Sequence, residues 1–276
     1  MDSGLVVAGI APHGVPIITE VAGNELEIFR KTREGMEKFG ATFNKYHPDT
    51  IIVLTPHGLR LSGMNAIYTC AYCRGKLTGG GMTISAEFKC DRHLAERILA
   101  RAEEQELPVV GANYGALAGP ASNIEMDWGT FIPLWYCGTR DEQKPKIVVV
   151  TPTRGIPLPK LVELGKIIAE QAEQSGKKVA LIASADQAHT HDADGPYGYH
   201  PAAKEFDEDI VEIIRENQLG RLLDYDLQKV AEAKPDSIWQ LLILHGVLQQ
   251  VSMKVDFLSY QVPTYFGMAV ATYERE

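Results

Sequence analysis

The chain has too few cysteines to depend on disulfides. Four of its 276 residues are cysteine, and a chain of this length can bury an adequate core without cross-links. Long apolar runs are also missing, since no stretch of the sequence approaches the roughly 20 residues that a membrane-spanning helix needs. The sequence therefore predicts free structural thiols and no association with a membrane.

Basic residues are in short supply as well. Lys and Arg number 27 against 36 Asp and Glu, which gives a formal net charge of −9. Sequence-independent binding of nucleic acid needs a basic surface, so we expect no nucleic-acid partner. The first four residues lead into an apolar run without a basic segment, and we therefore expect a cytoplasmic protein.

Two common catalytic motifs are absent from the sequence. It contains no Gly-x-Ser-x-Gly, which disfavours a serine hydrolase, and residues 79–81 are a glycine run without the Lys-Ser/Thr of a phosphate loop. Cys70, Cys73 and Cys90 might suggest zinc, but no fourth cysteine or histidine has the usual paired spacing.

What the chain does have is a pair of histidines, each between proline and glycine at the end of an apolar run. His13 follows the run 5–11, and His57 follows 50–55. Continuous apolar runs bounded by turn residues are typical of buried parallel strands. Ligands of open α/β sheets bind at the C-terminal edge of such strands. The repetition therefore predicts half of a metal site, whereas one such histidine would be explained by a loop or core position.

A third apolar run ends in further histidines. The predicted strand 178–184 leads into a loop that contains Asp186, His189 and His191. Imidazole suits Zn, Fe, Cu or Ni, and two histidines plus one carboxylate with open positions favour non-haem Fe(II). A histidine outside the ligand set would change its charge near neutral pH, which suits proton transfer.

Strand and helix patterns alternate along the chain. Helices are predicted at 24–46, 92–105, 129–137, 158–175, 202–217 and 226–250, and β-like segments before His13 and His57 and at 66–73, 109–110, 146–151, 178–184 and 257–273. This alternation predicts an α/β fold: a single three-layer domain with a central, mostly parallel sheet and helices on both faces. We expect that domain to span residues 1–276.

Taken together, the motifs resemble the LigB-type (class III) extradiol ring-cleavage dioxygenases, a superfamily that includes the Memo-like proteins. The resemblance rests on Ala-Pro-His13-Gly, Thr-Pro-His57-Gly, Ser-Ala-Asp-Gln-Ala-His189 and Gly129-Thr-Phe-Ile-Pro-Leu134. These follow in the same order over nearly the whole chain. The resemblance implies Fe(II) held by two histidines and one acidic residue. It also implies O₂ and a catechol-like or aminophenol-like substrate as partners, and a homo-oligomer.

Carried over residue by residue, the resemblance makes His13 and His57 metal ligands and His189 the acid/base. Asp236 matches the third ligand, which in the family is a glutamate ahead of an apolar helix, although aspartate is shorter by one methylene. Glu232, one turn earlier, is the other candidate for this position. Asp236 can also be interpreted as the N-cap of the helix that follows.

The chain departs from the family at Trp128. Members commonly carry Asp-His-Gly where this sequence has Asp-Trp-Gly, and tryptophan can stack on a ring but cannot transfer protons. A tryptophan packed under the loop is the alternative interpretation. We assign Trp128, Asp186 and His191 to substrate binding, with Asp186 also placed to orient His189. A solvated polar loop would explain His191 equally well.

The leading hypothesis is an Fe(II)-dependent extradiol dioxygenase that opens an aromatic ring with O₂. A Memo-like protein would instead use a similar pocket to bind metal or a small ligand without oxygenation. A Zn-dependent hydrolase on His13, His57 and Asp236 is the third alternative, because the same donor types also bind zinc.

Overall fold

The computed structural model describes residues 3–139 and 144–276. Its helices and strands, in chain order, are β1 (Gly4–Ala11), α1 (Arg30–Tyr46), β2 (Thr50–Leu54), β3 (Asn65–Tyr68), β4 (Tyr72–Gly79), β5 (Met82–Lys89), α2 (Arg92–Glu104), β6 (Val109–Ala112), β7 (Asn123–Glu125), α3 (Trp128–Cys137), β8 (Lys146–Thr151), α4 (Leu158–Glu173), β9 (Lys178–Ser184), α5 (Ala202–Arg215), α6 (Leu227–Ala233), α7 (Ile238–Leu248), β10 (Met253–Gln261) and β11 (Met268–Arg275). Across these two ranges, no helix is long and apolar enough to cross a membrane.

An eight-stranded sheet forms the centre of the described chain, in the order β10-β11-β1-β9-β2-β8-β3-β6. The neighbours β1, β9, β2 and β8 are parallel, whereas β11 and β10 add an antiparallel edge. At the other edge, β3 runs antiparallel to β8 and parallel to β6. The predicted α/β fold with a mostly parallel sheet is therefore confirmed.

Both faces of the sheet are covered by helices. Ile52 and Leu54 of β2 pack into one core with α2, α4, α5 and α7. Ile51 and Val53 pack into a second core with α1 and α3. Alternate residues of a strand point to opposite faces, so an apolar run without interruption is what a strand between two helical layers requires.

Two predicted helices have different limits in the structure. The first begins at Arg30, because residues 15–25 form short 3-10 turns instead of an α-helix. The predicted helix 226–250 is broken into α6 and α7. Lys234 adopts the left-handed conformation (φ 53°), and Pro235 cannot continue a helix after it. The break places Asp236 on a connecting turn.

A second, smaller sheet with the order β5-β4-β7 stands beside the large one. The predicted β-like run 66–73 is in fact the end of β3, a short turn and the beginning of β4. Gly80 and Gly81 have positive φ angles of 53° and 80°, and they form the tight turn of the β4–β5 hairpin. All four cysteines are buried and free.

Candidate metal centre

Three neighbouring strands deliver the predicted histidines to one edge of the large sheet. β9 lies between β1 and β2, and all three run parallel. His13 follows β1, His57 follows β2, and His189 lies in the loop after β9. Because parallel strands end at the same edge, residues far apart in the chain meet there.

His13, His57 and Asp236 form a compact group of possible metal ligands. His13 Nε2 lies 3.0 Å from His57 Nε2 and 3.2 Å from Asp236 Oδ2. His57 Nε2 lies 3.3 Å from the same carboxylate oxygen. Metal bonds of about 2.1 Å at right angles would place their donors about 3.0 Å apart. The three atoms are therefore spaced as one face of an octahedral coordination shell requires.

Hydrogen bonds at the rear of these side chains orient the donors. His13 Nδ1 lies 2.9 Å from Ser184 Oγ at the end of β9, which leaves Nε2 directed at the other donors. Asp236 Oδ1 accepts the backbone N–H of Asp186 at 2.9 Å, which leaves Oδ2 for the site. Such outer partners fix the orientation of metal-binding imidazoles and carboxylates.

The sequence left two alternatives open: Asp236 as the N-cap of α7, and Glu232 as the third ligand. The N-cap of α7 is Ser237, and no side chain caps that helix end. Glu232 accepts a hydrogen bond from Gln228 at 3.0 Å and lies 3.9 Å from His200. Of Asp236 and Glu232, it is therefore Asp236, 4% exposed, that the structure brings to both His13 and His57.

The electrostatic environment of the group favours a cation. Burial alone would lower the pKa of His13, but the carboxylates of Asp186 and Asp236 outweigh it and raise that pKa to about 9. Burial raises the pKa of Asp186 to about 7. For Asp236 burial also acts upward, yet His13 and His57 hold its pKa well below the ordinary value. Two buried carboxylates thus create a negative potential that a proton or a metal ion can satisfy.

His189 shares a cavity of about 540 Å³ with His13 and His57 and lies outside their ligand group. Its ring stacks on Phe266 at a centroid distance of 5.4 Å and meets Tyr197 edge-on at 5.8 Å. Burial lowers the pKa of His189, so the imidazole is held in its neutral form. Nδ1 is buried without a hydrogen-bond partner among the described residues.

Trp128 borders the same cavity. Its ring stacks on His57 at 4.2 Å with an interplanar angle of 27°, and the residue is 44% exposed. Asp127 fixes this end of α3 by accepting the Thr130 N–H at 3.0 Å and the Thr55 hydroxyl at 2.6 Å. The indole is therefore a wall of the cavity, whereas the alternative interpretation packed it under the loop.

Asp186 and His191 have partners other than those expected from the sequence. Asp186 Oδ1 accepts the backbone N–H of His13 at 3.1 Å, and Oδ2 lies 3.2 Å from His13 Nε2. Asp186 thus contacts His13 instead of orienting His189. His191 Nε2 lies 2.8 Å from the buried Asp207, which also accepts the Ala188 N–H. His191 is thus paired with a buried carboxylate, and it is not among the described residues that line the two cavities beside the metal centre.

Several cavity residues had no signal in the sequence. The aromatic walls include Tyr265 and Phe266 on the turn between β10 and β11. An adjoining cavity of about 430 Å³ also reaches His57 and His189, and Arg60, Arg154 and Lys234 line it. These three cations come from loops far apart in the chain, so no spacing in the sequence links them.

Two known proteins are similar to this chain over almost its whole length. "Protein CA_C1420" of Clostridium acetobutylicum is 25% identical over 270 residues, which cover 96% of this chain and 56% of that protein. The chain thus spans about half the length of that relative. The crystal structure of uncharacterized protein JW3007 from Escherichia coli K12 has a TM-score of 0.63 at 16% identity, covering 97% of this chain and 99% of that one. At this identity the likeness shows the fold alone.

A family-level match supplies the assignment. The profile described as the catalytic LigB subunit of aromatic ring-opening dioxygenase matches residues 8–271, nearly the whole chain. Its range includes all the strand ends described above and the turn before α7. The chain therefore belongs to the LigB family of aromatic ring-opening dioxygenases.

Proposed function

We propose that this protein is an Fe(II)-dependent extradiol dioxygenase that opens a catechol-like or aminophenol-like ring with O₂. The observation that carries the proposal is the convergence of His13 Nε2, His57 Nε2 and Asp236 Oδ2 within 3.3 Å of one another. Two imidazoles and one carboxylate on one face, with the other positions open, are the donor set of non-haem Fe(II) oxygenases. Family membership supports the same reaction class.

The donor set fits the ion by its chemistry as well as by its spacing. His13, His57 and Asp236 would hold Fe(II), and zinc is also compatible with these donors. When bound, the ion would supply Lewis acidity and a common template for the ring and dioxygen. The carboxyl group of Asp186 lies beside His13, and when ionised it adds negative charge that offsets the charge of the ion.

The remaining cavity residues divide between binding and proton transfer. Trp128 presents an exposed indole face beside His57, where an aromatic ring can stack. His189 faces the same cavity and is neutral at pH 7 because burial lowers its pKa, so its imidazole can accept the proton of a ring hydroxyl. Phe266 packs against that imidazole and restricts its rotation.

The charge around the adjoining cavity supports a substrate with an anionic substituent. Arg60, Arg154 and Lys234 line it together with His57 and His189. Arg154 lies 4.3 Å from the Trp239 ring centroid, and Lys234 lies 5.5 Å from that of Tyr197. Aromatic contacts of this kind hold the cations in place. A carboxylate on the ring would therefore find its partners next to the metal centre.

The proposal is tested by paired variants after anaerobic reconstitution with Fe(II). We expect His189→Ala to keep its iron but to cleave catechols about 10²–10⁴-fold more slowly in a single turnover, as the loss of a general acid/base implies. His13→Ala should lose the iron. His47→Asn is the control, because His47 is exposed at the left-handed end of α1 and asparagine tolerates that conformation.

The results separate the competing functions. Iron loss in both variants would make His189 a ligand, and unchanged cleavage in His189→Ala would remove it from the mechanism. Metal bound without O₂ consumption by any catechol or aminophenol would favour a Memo-like binding protein. Hydrolysis that depends on zinc and needs no O₂ would favour the hydrolase.

Three further expectations accompany the proposal. They are a single catalytic domain over residues 1–276, a homo-oligomer in solution and a cytoplasmic location. Sedimentation velocity measures the oligomeric state, limited proteolysis measures whether the chain behaves as one unit, and fractionation of the source cells measures the location.

A further inference from the structure

Three of the four cysteines gather where the small sheet meets the large one. The distances between their sulfur atoms are 3.9 Å for Cys70–Cys73, 3.7 Å for Cys70–Cys90 and 3.5 Å for Cys73–Cys90. Cys70 and Cys73 are completely buried, and Cys90 is 8% exposed. The three thiols therefore form a nearly equilateral triangle inside the protein.

The fold builds this triangle from three separate backbone segments. Cys70 lies on the turn before β4, Cys73 lies in β4, and Cys90 directly follows β5. The Cys90 N–H donates to the carbonyl of Ala71 at 2.9 Å, and Cys90 forms a parallel bridge with Ile147. Ile147 is at the start of β8, the end of the strand away from the candidate metal centre. The thiol cluster is thus separate from the His13 group.

We propose that Cys70, Cys73 and Cys90 bind a thiophilic metal ion, Zn²⁺, that ties together both ends of the β4–β5 hairpin where the small sheet meets the large one. Zinc–sulfur bonds of about 2.3 Å in tetrahedral geometry place two sulfurs about 3.8 Å apart. The measured sulfur–sulfur distances of 3.5 to 3.9 Å match that edge on all three sides. The spacing in the sequence did not indicate this site because β4 and β5 must pair before Cys90 approaches the other two.

A disulfide accounts less well for the arrangement. A disulfide bond is about 2.05 Å long and joins only two sulfurs, so any pairing would leave the third buried thiol beside it. Thiols are also weak hydrogen-bond donors and acceptors, which gives three of them little reason to converge. Thiolates do converge when a cation lies between them.

The surroundings supply the charge balance and define the coordination number. The Nε of Arg92, two residues after Cys90, is buried without a hydrogen-bond acceptor among the described residues, and the charge of this guanidinium favours the thiolate of Cys90. Among the described residues, this group of possible metal ligands contains the three thiols and no fourth side chain. A fourth zinc ligand would therefore be a solvent molecule or a backbone carbonyl.

The experiment uses the full-length protein, loaded with Co²⁺ under reducing conditions. Cobalt bound by thiolates absorbs strongly in the near ultraviolet through sulfur-to-metal charge transfer, and the histidine–aspartate centre contains no thiolate. We expect this band in the wild type and its loss, together with one equivalent of metal, in Cys73→Ser. His13→Ala should keep the band, which separates this proposal from the proposed function.

Cys137→Ser is the matched control. Cys137 is also buried, at 1% exposure, but its thiol donates a hydrogen bond to the Pro133 carbonyl and lies outside the cluster. This variant should keep both the band and the metal. Loss of the band in Cys137→Ser, or its persistence in Cys73→Ser, would overturn the assignment.

A measurement on the unmodified chain does not depend on whether Cys73→Ser folds. X-ray absorption at the zinc edge should show sulfur neighbours at about 2.3 Å. Wild-type protein that takes up no second equivalent of metal and shows no charge-transfer band would refute the site. Uptake of Cu(I) alone, without Zn²⁺ or Co²⁺, would refute the choice of zinc.

Discussion

His57 connects the parts of the candidate site at the scale of single residues. Its Nε2 faces His13 and Asp236, and its ring face stacks on Trp128. It is also less buried than His13, with 17% of its side chain exposed against 2%. The most accessible of the three candidate ligands is therefore the one that stacks on Trp128, in the aromatic wall of the cavity.

The stacking predicts a specific effect of replacing Trp128. An offset aromatic pair contributes about 0.5–1.5 kcal/mol beyond its buried area. We therefore expect Trp128→Ala to raise the KM for a catechol about two- to tenfold, with a smaller change in kcat. Trp128→Phe, which keeps an aromatic face, should retain most of the affinity. Steady-state kinetics of the reconstituted protein measure both.

The two variants also decide between binding and structure. Trp128 is 44% exposed, so its loss should leave the thermal midpoint of unfolding nearly unchanged. If Trp128→Ala lowered that midpoint by many degrees, or if Trp128→Phe were as impaired in KM, the stacking role would be wrong.

At the scale of elements, α7 has to be placed closely for Asp236 to reach the site. Two glycines allow α4 and α7 to cross in contact. A Cβ on Gly165 would lie 2.0 Å from the carbonyl oxygen of Ile243, and a Cβ on Gly246 would lie 2.0 Å from that of Val162. Real side chains do not approach a backbone oxygen so closely, so any larger residue must push the helices apart.

We predict that Gly165→Ala destabilises the protein by at least about 1–3 kcal/mol, the usual range for overpacked cores. Because α7 begins two residues after Asp236, the variant should also bind Fe(II) more weakly than the wild type. Urea denaturation and iron titration measure the two effects. Gly155→Ala is the control, since the nearest atom to its added Cβ is 3.6 Å away.

A wild-type free energy of unfolding in Gly165→Ala would contradict the close crossing. An equal loss of stability in Gly155→Ala would show that the effect reflects replacement of glycine as such. The comparison therefore isolates the contact between the helices.

The same scale shows which features a sequence can predict. Local periodicity located most helices and the central strands, because an apolar run or a 3.6-residue pattern is visible within one segment. The break at Lys234 depends on one left-handed residue before a proline; the sequence predicted helical structure over 226–250 and a helix after Asp236, but not the position where the chain breaks. The small sheet depends on pairing of β4 with both β5 and β7, which no local pattern reveals.

Some residues of the candidate site could likewise be predicted from their own segment of sequence, and others could not. Pro-His-Gly after an apolar run placed His13 and His57 from their own segments. Asp236 was reached through a family resemblance, since nothing in its local sequence distinguishes a ligand from a helix cap. Arg60 and Arg154 approach the cavity only after β2 and β8 pair, and no sequence pattern selects them.

At the scale of the whole molecule, charge is unevenly distributed. The formal net charge is −9, yet three cations line the cavity beside the candidate metal centre. The parallel strands β1, β2, β8 and β9 all end at that edge of the sheet, and the loops that follow them begin there. The opposite end of β8 carries the thiol cluster. One sheet thus separates a polar, accessible edge from a buried, structural one.

The stability of the whole molecule should depend on pH through His245 of α7. Burial lowers the pKa of His245, and the charge of Lys166 lowers it further. The ordinary pKa of histidine is about 6.5, so the unfolded chain binds this proton more tightly than the folded one. The free energy of unfolding must therefore fall as the pH drops through that value towards the lowered pKa.

We therefore expect His245→Gln to lose less stability than the wild type between about pH 7.5 and 5.5. The substitution removes an imidazole whose protonation favours the unfolded chain. Glutamine is a good helix former, so α7 should persist. Urea denaturation at a series of pH values measures the difference. His93→Gln is the control, since His93 is an exposed histidine at the start of α2. A wild-type-like decline in His245→Gln would show that other groups carry the acid sensitivity, such as His189, whose pKa burial also lowers.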